Sequence, residues 1–199
     1  MEIKQTSILE QALKELELQT AGSEYKVSLE EIPFQGQFVI RSLDTLKDLN
    51  AALEPVTGIK MTNKPNTAET GKQGKMFWLR EGQWLFVTPA KTSAAIGAKL
   101  ITAVADLDSS VVDNSSGYTM LRISGEKARD AIKKGCPLDI HPKVFGPGSM
   151  ALTRIMHADV LLHHPEDKLY DLYIRKSFSE YLLRFVHDAA LEFGVEVKK

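Results

Sequence analysis

The first stretch of the chain places Ile8, Leu9, Ala12, Leu13 and Leu16 on one helical face, with Ser7 three residues before Glu10 as in a capping box. A short amphipathic helix is expected there, over about residues 7 to 18. Val27, Leu29 and Ile32, then Phe38-Val39-Ile40, have strand composition; Pro33 and Gly36 separate them, so the two can pair as a hairpin. Asp44 is a candidate N-cap for a helix carrying Leu46, Leu49 and Leu53 that ends before Pro55 and Gly58. The run from Gly58 to Lys75 is polar, holds Pro65, Gly71 and Gly74, and reads as an exposed loop. Met76-Phe77-Trp78-Leu79 and Trp84-Leu85-Phe86-Val87 flank Arg80-Glu81-Gly82-Gln83, the pattern of two strands around a tight turn. An alanine-rich helix over about 91 to 104 follows Pro89.

The order then recurs. Val111-Val112 and Tyr118 to Ile123 read as strands, and a helix is expected from Ser124 to Gly135 with Ala128, Ala131 and Ile132 inward. Met150 to Ile155, Asp159 to Leu162 and Leu169 to Ile174 read as further strands. In the last helix Ser177 and Glu180 have capping-box spacing. Phe178, Tyr181, Leu182, Phe185, Val186, Ala189 and Phe193 recur at three- and four-residue intervals, and Gly194 ends it. Phe38-Val39-Ile40-Arg41 is similar to Met120-Leu121-Arg122, and Trp84-Leu85-Phe86-Val87 to Asp171-Leu172-Tyr173-Ile174, each pair preceding helices. Short hairpin connections favour antiparallel pairing. The expected architecture is α+β: a helical segment over residues 1–24, then two similar lobes of antiparallel sheet with packed helices, 25–107 and 108–199, forming one unit.

Composition narrows the function classes. With 25 Lys and Arg against 26 Asp and Glu, the formal charge is -1, which provides no field to gather a nucleic acid or hold an acidic bilayer. The single Cys136 rules out an internal disulfide and a thiolate-rich zinc site. Met1-Glu2-Ile3-Lys4-Gln5 lacks the positive start of a signal peptide, and no apolar run approaches the roughly 18 residues of a membrane span, so the expected location is cytoplasmic.

Few residues suggest chemistry. Gly146-Pro147-Gly148 precedes a strand rather than opening a helix, so it reads as a turn and not a phosphate cradle. His157, His163 and His164 surround Asp159, but neighbouring strand positions face opposite ways, so they read as surface polar residues and no metal site is expected. His141 beside Pro142 reads as a loop residue bonded to backbone. Cys136, just after a helix C-terminus, stands where the dipole disfavours a thiolate. Trp78 and Trp84 are the candidates for stacking on a planar ligand such as a pterin, against the plainer reading that both are core. No nucleophile with its base and no dinucleotide fingerprint stands out.

Longer motifs carry a family resemblance. Leu121-Arg122-Ile123-Ser124-Gly125-Glu126-Lys127-Ala128-Arg129-Asp130 runs into Lys134-Gly135-Cys136-Pro137-Leu138-Asp139-Ile140-His141-Pro142. Supporting these are Lys64-Pro65-Asn66-Thr67, Phe77-Trp78-Leu79 with Gln83-Trp84-Leu85, Phe145 with Gly148 and Thr153, and Arg175-Lys176-Ser177-Phe178 leading to Glu192-Phe193-Gly194. From about residue 25 onward the chain resembles the gamma subunit of heterotetrameric sarcosine oxidase, departing at Lys127, where the family more often has proline.

The resemblance implies the T-protein-like folate-binding fold, with Asp113-Asn114-Ser115-Ser116 through Gly125 and Ala128 similar to a T-protein pattern. It also implies a loss. Where T-proteins carry an essential aspartate in a Gly-Gly-x-x-Asp-Asp turn, the comparable stretch here is Met156-His157-Ala158-Asp159-Val160. Ala158 takes the first aspartate's place, and Asp159, the remaining candidate, would point to the other face. The implied protein is a noncatalytic subunit that stabilises the alpha subunit's folate domain, with beta and delta subunits as further partners. Flavins, NAD and tetrahydrofolate are implied for those other subunits and no cofactor for this chain. The alternatives are a stand-alone folate-binding or aminomethyltransferase-like protein and a gamma homologue serving another demethylating complex.

Overall fold

A computed structural model describes residues 6–18 and 24–198. Residues 1–5 and 19–23, parts of the expected N-terminal segment and its acidic start, lie outside the described residues. The elements are α1 Glu10–Glu17, β1 Val27–Ile32, β2 Gly36–Ser42, α2 Leu46–Thr57, β3 Ala68–Gly71, β4 Gly74–Arg80, β5 Gln83–Thr88, α3 Ala90–Ala103, β6 Ser109–Asp113, β7 Tyr118–Ser124, α4 Ala128–Lys133, β8 Ser149–Ile155, β9 Ala158–Glu166, β10 Leu169–Arg175, α5 Lys176–Ala190 and β11 Val195–Lys198. The class is α+β.

Two compact units divide the chain at points other than the contiguous lobes expected. One is built from the residues up to Pro33, Tyr118–Pro147 and those from Leu152 onward; the other from Phe34–Gly117 and Gly148–Ala151. Pairing is the physical reason. β1 does not form a hairpin with β2: it pairs antiparallel with β7 and parallel with β11, and the chain turns away at Phe34, whose φ is 61°.

The first unit holds a six-stranded sheet in the order β11-β1-β7-β10-β9-β8. Leu29, Ile123, Tyr170, Leu172 and Ile174 are buried in it, together with Leu182, Leu183 and Val186 of α5. The helix α5 forms where expected, but its buried face is rotated: Ser179, Leu182, Leu183, Val186, His187, Ala189 and Ala190 are inward, while Phe178 and Tyr181 are exposed. Neither Ser177 nor Ser7 caps its helix. Arg175 and Leu9 are the N-cap positions, and no side-chain cap bond is present at either. Glu31, buried in β1, serves the start of α1 instead, its Oε2 accepting from the Leu9 backbone N–H at 3.3 Å. α4 likewise starts without a side-chain cap, at Ala128.

The second unit holds a five-stranded sheet, β3-β4-β5-β2-β6, with α2 and α3 on one face. Phe38, Ile40, Met76, Trp84 and Phe86 alternate toward that face and pack with Leu49, Leu53, Ile96 and Leu100. Gly97 permits the approach of α3, since a Cβ there would stand 2.6 Å from the Phe38 ring. β4 and β5 join at the tight turn expected, with Gly82 at φ +66°. The polar run before them is not all loop, because β3 pairs with β4. α2 is capped by Thr45, not Asp44: Thr45 Oγ1 accepts from Asp48 N–H at 3.2 Å and donates to Asp48 Oδ2 at 2.6 Å. It also runs through Pro55 to Thr57, since Gly58 N–H closes the last turn on Glu54 O and the Thr57 hydroxyl donates to Leu53 O.

Candidate functional site

Asp159 and Ala158 sit at the start of β9. The Ala158 methyl is fully buried, and Asp159 points outward, its side chain 74% exposed and paired with Arg154 at 3.1 Å. Its carboxylate therefore stands in water, in an ion pair of the kind that contributes little to stability. Trp84 is buried in the second unit's core, with its indole N–H donated to Thr62 O at 3.0 Å. Trp78 packs half-buried against the same cluster, and its indole Nε1 is buried with no hydrogen-bond partner among the described residues. His141 is exposed, its Nδ1 accepting from Lys143 N–H, and Cys136 is buried.

The surface reading of His163 and His164 is corrected. Both are buried, on opposite sides of β9, because both faces of the sheet are covered there. His164 stacks on Tyr170 with ring centroids 4.4 Å apart, and its Nδ1 lies 3.1 Å from Phe145 O, which fixes Nδ1 as the protonated nitrogen. His157 remains exposed. Among the described residues no group of three or more His, Cys, Asp or Glu is placed to hold a metal ion.

A row of ionisable side chains crosses the first unit's sheet. Register places Glu30, Arg122, Asp171 and His163 side by side on β1, β7, β10 and β9. Asp171 is fully buried and accepts two bonds from Arg122, Nε to Oδ1 at 2.8 Å and Nη2 to Oδ2 at 3.1 Å. The hydrogen bond to Asp171 raises the Arg122 pKa above its ordinary value, against desolvation. His163 Nδ1 lies 3.9 Å from Asp171 Oδ2. The clue in sequence is a lone charge between apolar neighbours on each strand, Leu121-Arg122-Ile123 and Tyr170-Asp171-Leu172. Within the row the Asp171 carboxylate is closed to water and takes both bonds of the Arg122 fork.

His187, buried on α5, has a depressed pKa because burial disfavours its cation, with Asp188 opposing. The folded state therefore holds fewer protons than the unfolded chain below the ordinary value of 6.5. Stability is full above that pH and falls as pH drops through it, by at most about 1.4 kcal/mol per pH unit for this one group. Urea unfolding at neutral pH and at mildly acidic pH checks this: His187→Leu is expected to flatten the loss that the native chain undergoes.

Sequence reading missed a cleft in the second unit, of about 790 Å³, at the end of β2. Arg41, Ser42, Asp44, Arg80, Gln83, Trp84, Asp108 and Ser109 are among its lining. Ser109 Oγ lies 2.8 Å from Asp44 Oδ2 and 2.7 Å from Ser42 Oγ, and Ser42 Oγ is 3.3 Å from the same carboxylate oxygen. Arg41 and Arg80 each stand opposite Gln83, and Arg80 Nε donates to Gln83 Oε1 at 2.6 Å.

The fold belongs to a recognised class. The glycine cleavage system aminomethyltransferase T of Bartonella henselae superposes with a TM-score of 0.65 at 12% identity, over 93% of this chain and 50% of that one. This is the T-protein-like fold expected. A chain of the heterotetrameric sarcosine oxidase of Corynebacterium sp. U-96, in complex with pyrrole 2-carboxylate, matches at TM-score 0.85 and 25% identity over 95% of this chain and 96% of that one. The sarcosine oxidase subunit gamma of Corynebacterium sp. strain P-1 is 29% identical over 178 residues, 89% of this chain and 85% of the relative. The model of the sarcosine oxidase, gamma subunit family matches residues 48–192. The chain belongs to that family.

Proposed function

We propose that the chain serves as the noncatalytic gamma subunit of a cytoplasmic heterotetrameric sarcosine oxidase, stabilising the alpha subunit's folate domain. The observation that carries this reading is the near full-length likeness, at TM-score 0.85, to a chain of a heterotetrameric sarcosine oxidase. The noncatalytic part is supported by Ala158 as a buried methyl and by Asp159 facing solvent in an ion pair. Oxidative demethylation of sarcosine to glycine then takes place on flavins in other subunits. NAD and tetrahydrofolate also belong to those subunits, and alpha, beta and delta are the partners.

Coexpression tests the assignment. Omitting this chain is expected to lower the yield and thermal stability of the complex formed by the other subunits. An intact complex of unchanged stability and full tetrahydrofolate-dependent sarcosine oxidation in its absence would overturn the assignment. Calorimetric titration of the isolated chain with tetrahydrofolate separates the stand-alone folate-binding reading. The scaffold reading expects no heat of binding; micromolar binding abolished by Asp159→Asn would replace it.

A further inference from the structure

We infer that β6 is a docking edge, on which a partner subunit lays an extended segment of apolar residues flanked by Lys or Arg; this rests on the reading of the chain as a subunit of a complex. β6 is the last strand of the five-stranded sheet. Its pairing with β2 fixes which backbone groups are used. Leu43 N–H donates to Asp108 O at 3.0 Å and Asn114 N–H to Gln37 O at 2.8 Å, so in this register Ser110 and Val112 are the residues of β6 that bond toward β2. Ser109, Val111 and Asp113 direct their N–H and C=O groups the other way, out of the sheet. None of those backbone groups is hydrogen-bonded among the described residues. A row of this kind is a template for another strand.

Natural sheet edges are blunted by charge, proline, brevity or cover. The opposite edge, β3, is four residues long and carries Glu69, and the chain just before it is bridged from Thr67 to Ser149. β6 has no proline and no Lys or Arg, and its Val112 is 51% exposed. The helix α3 supplies a roof. It packs on β2 and β6, with α2 against one flank, where Ile96 and Ala103 join the core. Ile101 lies on the other flank, toward the β6 edge, and is 55% exposed. A strand laid beside β6 would set alternate side chains under Ile101 and next to Val111, and the others against Val112 on the far face.

Charge selects the occupant. Asp106 and Asp108 stand exposed before the strand and Asp113 is exposed at its end, with Arg41 across from Ser110, so the edge carries an acidic excess. A second copy of the chain would bring the same carboxylates to the same edge, like charge on like. A segment of β-branched apolar residues that ends in Lys or Arg fits both the apolar middle and the acidic ends.

Hydrogen exchange of the full chain, free and in the complex coexpressed with the other subunits, tests the pairing. The Ser109, Val111 and Asp113 amides are expected to exchange fast in the free chain and at least about tenfold more slowly in the complex. Val111→Pro removes one outward donor without touching the ladder to β2. Asp106→Lys with Asp108→Lys reverses two exposed charges and leaves the backbone alone. Each variant is expected to be retained in the complex about tenfold or more weakly. An unchanged unfolding midpoint of the charge-reversed chain shows that its loss of retention is a loss of docking. Equal exchange in the two states, or full retention of either variant, would overturn the inference and leave the subunit assignment standing. Protection that appears in the free chain as its concentration rises would overturn it in favour of a second copy. A native chain that never enters the complex would overturn the assignment and the inference together.

Discussion

Replacing Arg122 with alanine is expected to destabilise the chain by about 3–5 kcal/mol, measured as a lower urea midpoint at unchanged slope. Asp171 has 0% exposure and takes two hydrogen bonds from this guanidinium. Without them a carboxylate stays sealed in a sheet with its strongest counter-charge gone. The reciprocal change, Asp171→Ala, is expected to have a smaller effect. The Arg122 side chain is 30% exposed and can turn toward water when its partner is removed. Arg122→Lys should recover only part of the loss, because an ammonium group cannot reproduce the two parallel bonds. Equal destabilisation by the two alanine variants would show that pairing, rather than burial of the acid, sets the magnitude.

Phe86→Ala should have an effect of the same order, about 3–5 kcal/mol, for a different reason. Phe86 has 0% exposure and stands in the middle of the cluster formed by Phe38, Met76, Leu53 and Leu100. Truncation removes a ring's worth of contacts that neighbours fixed on two sheet strands and two helices cannot close in to replace. Phe86→Leu, which retains much of the volume, is expected to lose less than about 1.5 kcal/mol. Differential scanning calorimetry of the pair separates a cavity effect from a polarity effect, since neither substitution introduces a polar atom.

How far each element could be read depended on whether its determinants lie close together along the chain. The β4–β5 hairpin was legible because its turn is local and Gly82 takes the positive φ it requires. The existence of α5 was legible from its apolar repeat; the rotation of its buried face was not, since Ser179, His187 and Ala190 go inward while the more apolar Phe178 and Tyr181 are exposed. For α2 the sequence offers two competent caps side by side, and Asp44 is drawn off by Ser42 and Ser109 while Thr45 bonds Asp48. Partners for β1 could not be read at all, because its neighbours β7 and β11 are remote in sequence. The same limit hid the cleft at the end of β2. Its lining comes from β2, β4, β5 and β6, strands brought side by side only by long-range pairing, and none of these residues carries a local motif.

The parallel pairing of β1 with β11 has a consequence for biosynthesis. Val27 lies opposite Val195, and the Gly194 carbonyl accepts from the Lys26 and Val27 backbone N–H groups at 3.1 Å, so an early strand must wait for a partner far downstream in the chain. The five-stranded sheet needs nothing beyond β6, and its core can assemble while the polypeptide is still emerging from the ribosome. Completion of the six-stranded sheet is a high-contact-order step that cannot precede the synthesis of β11, and until then β1 offers an open edge on which nascent copies can aggregate.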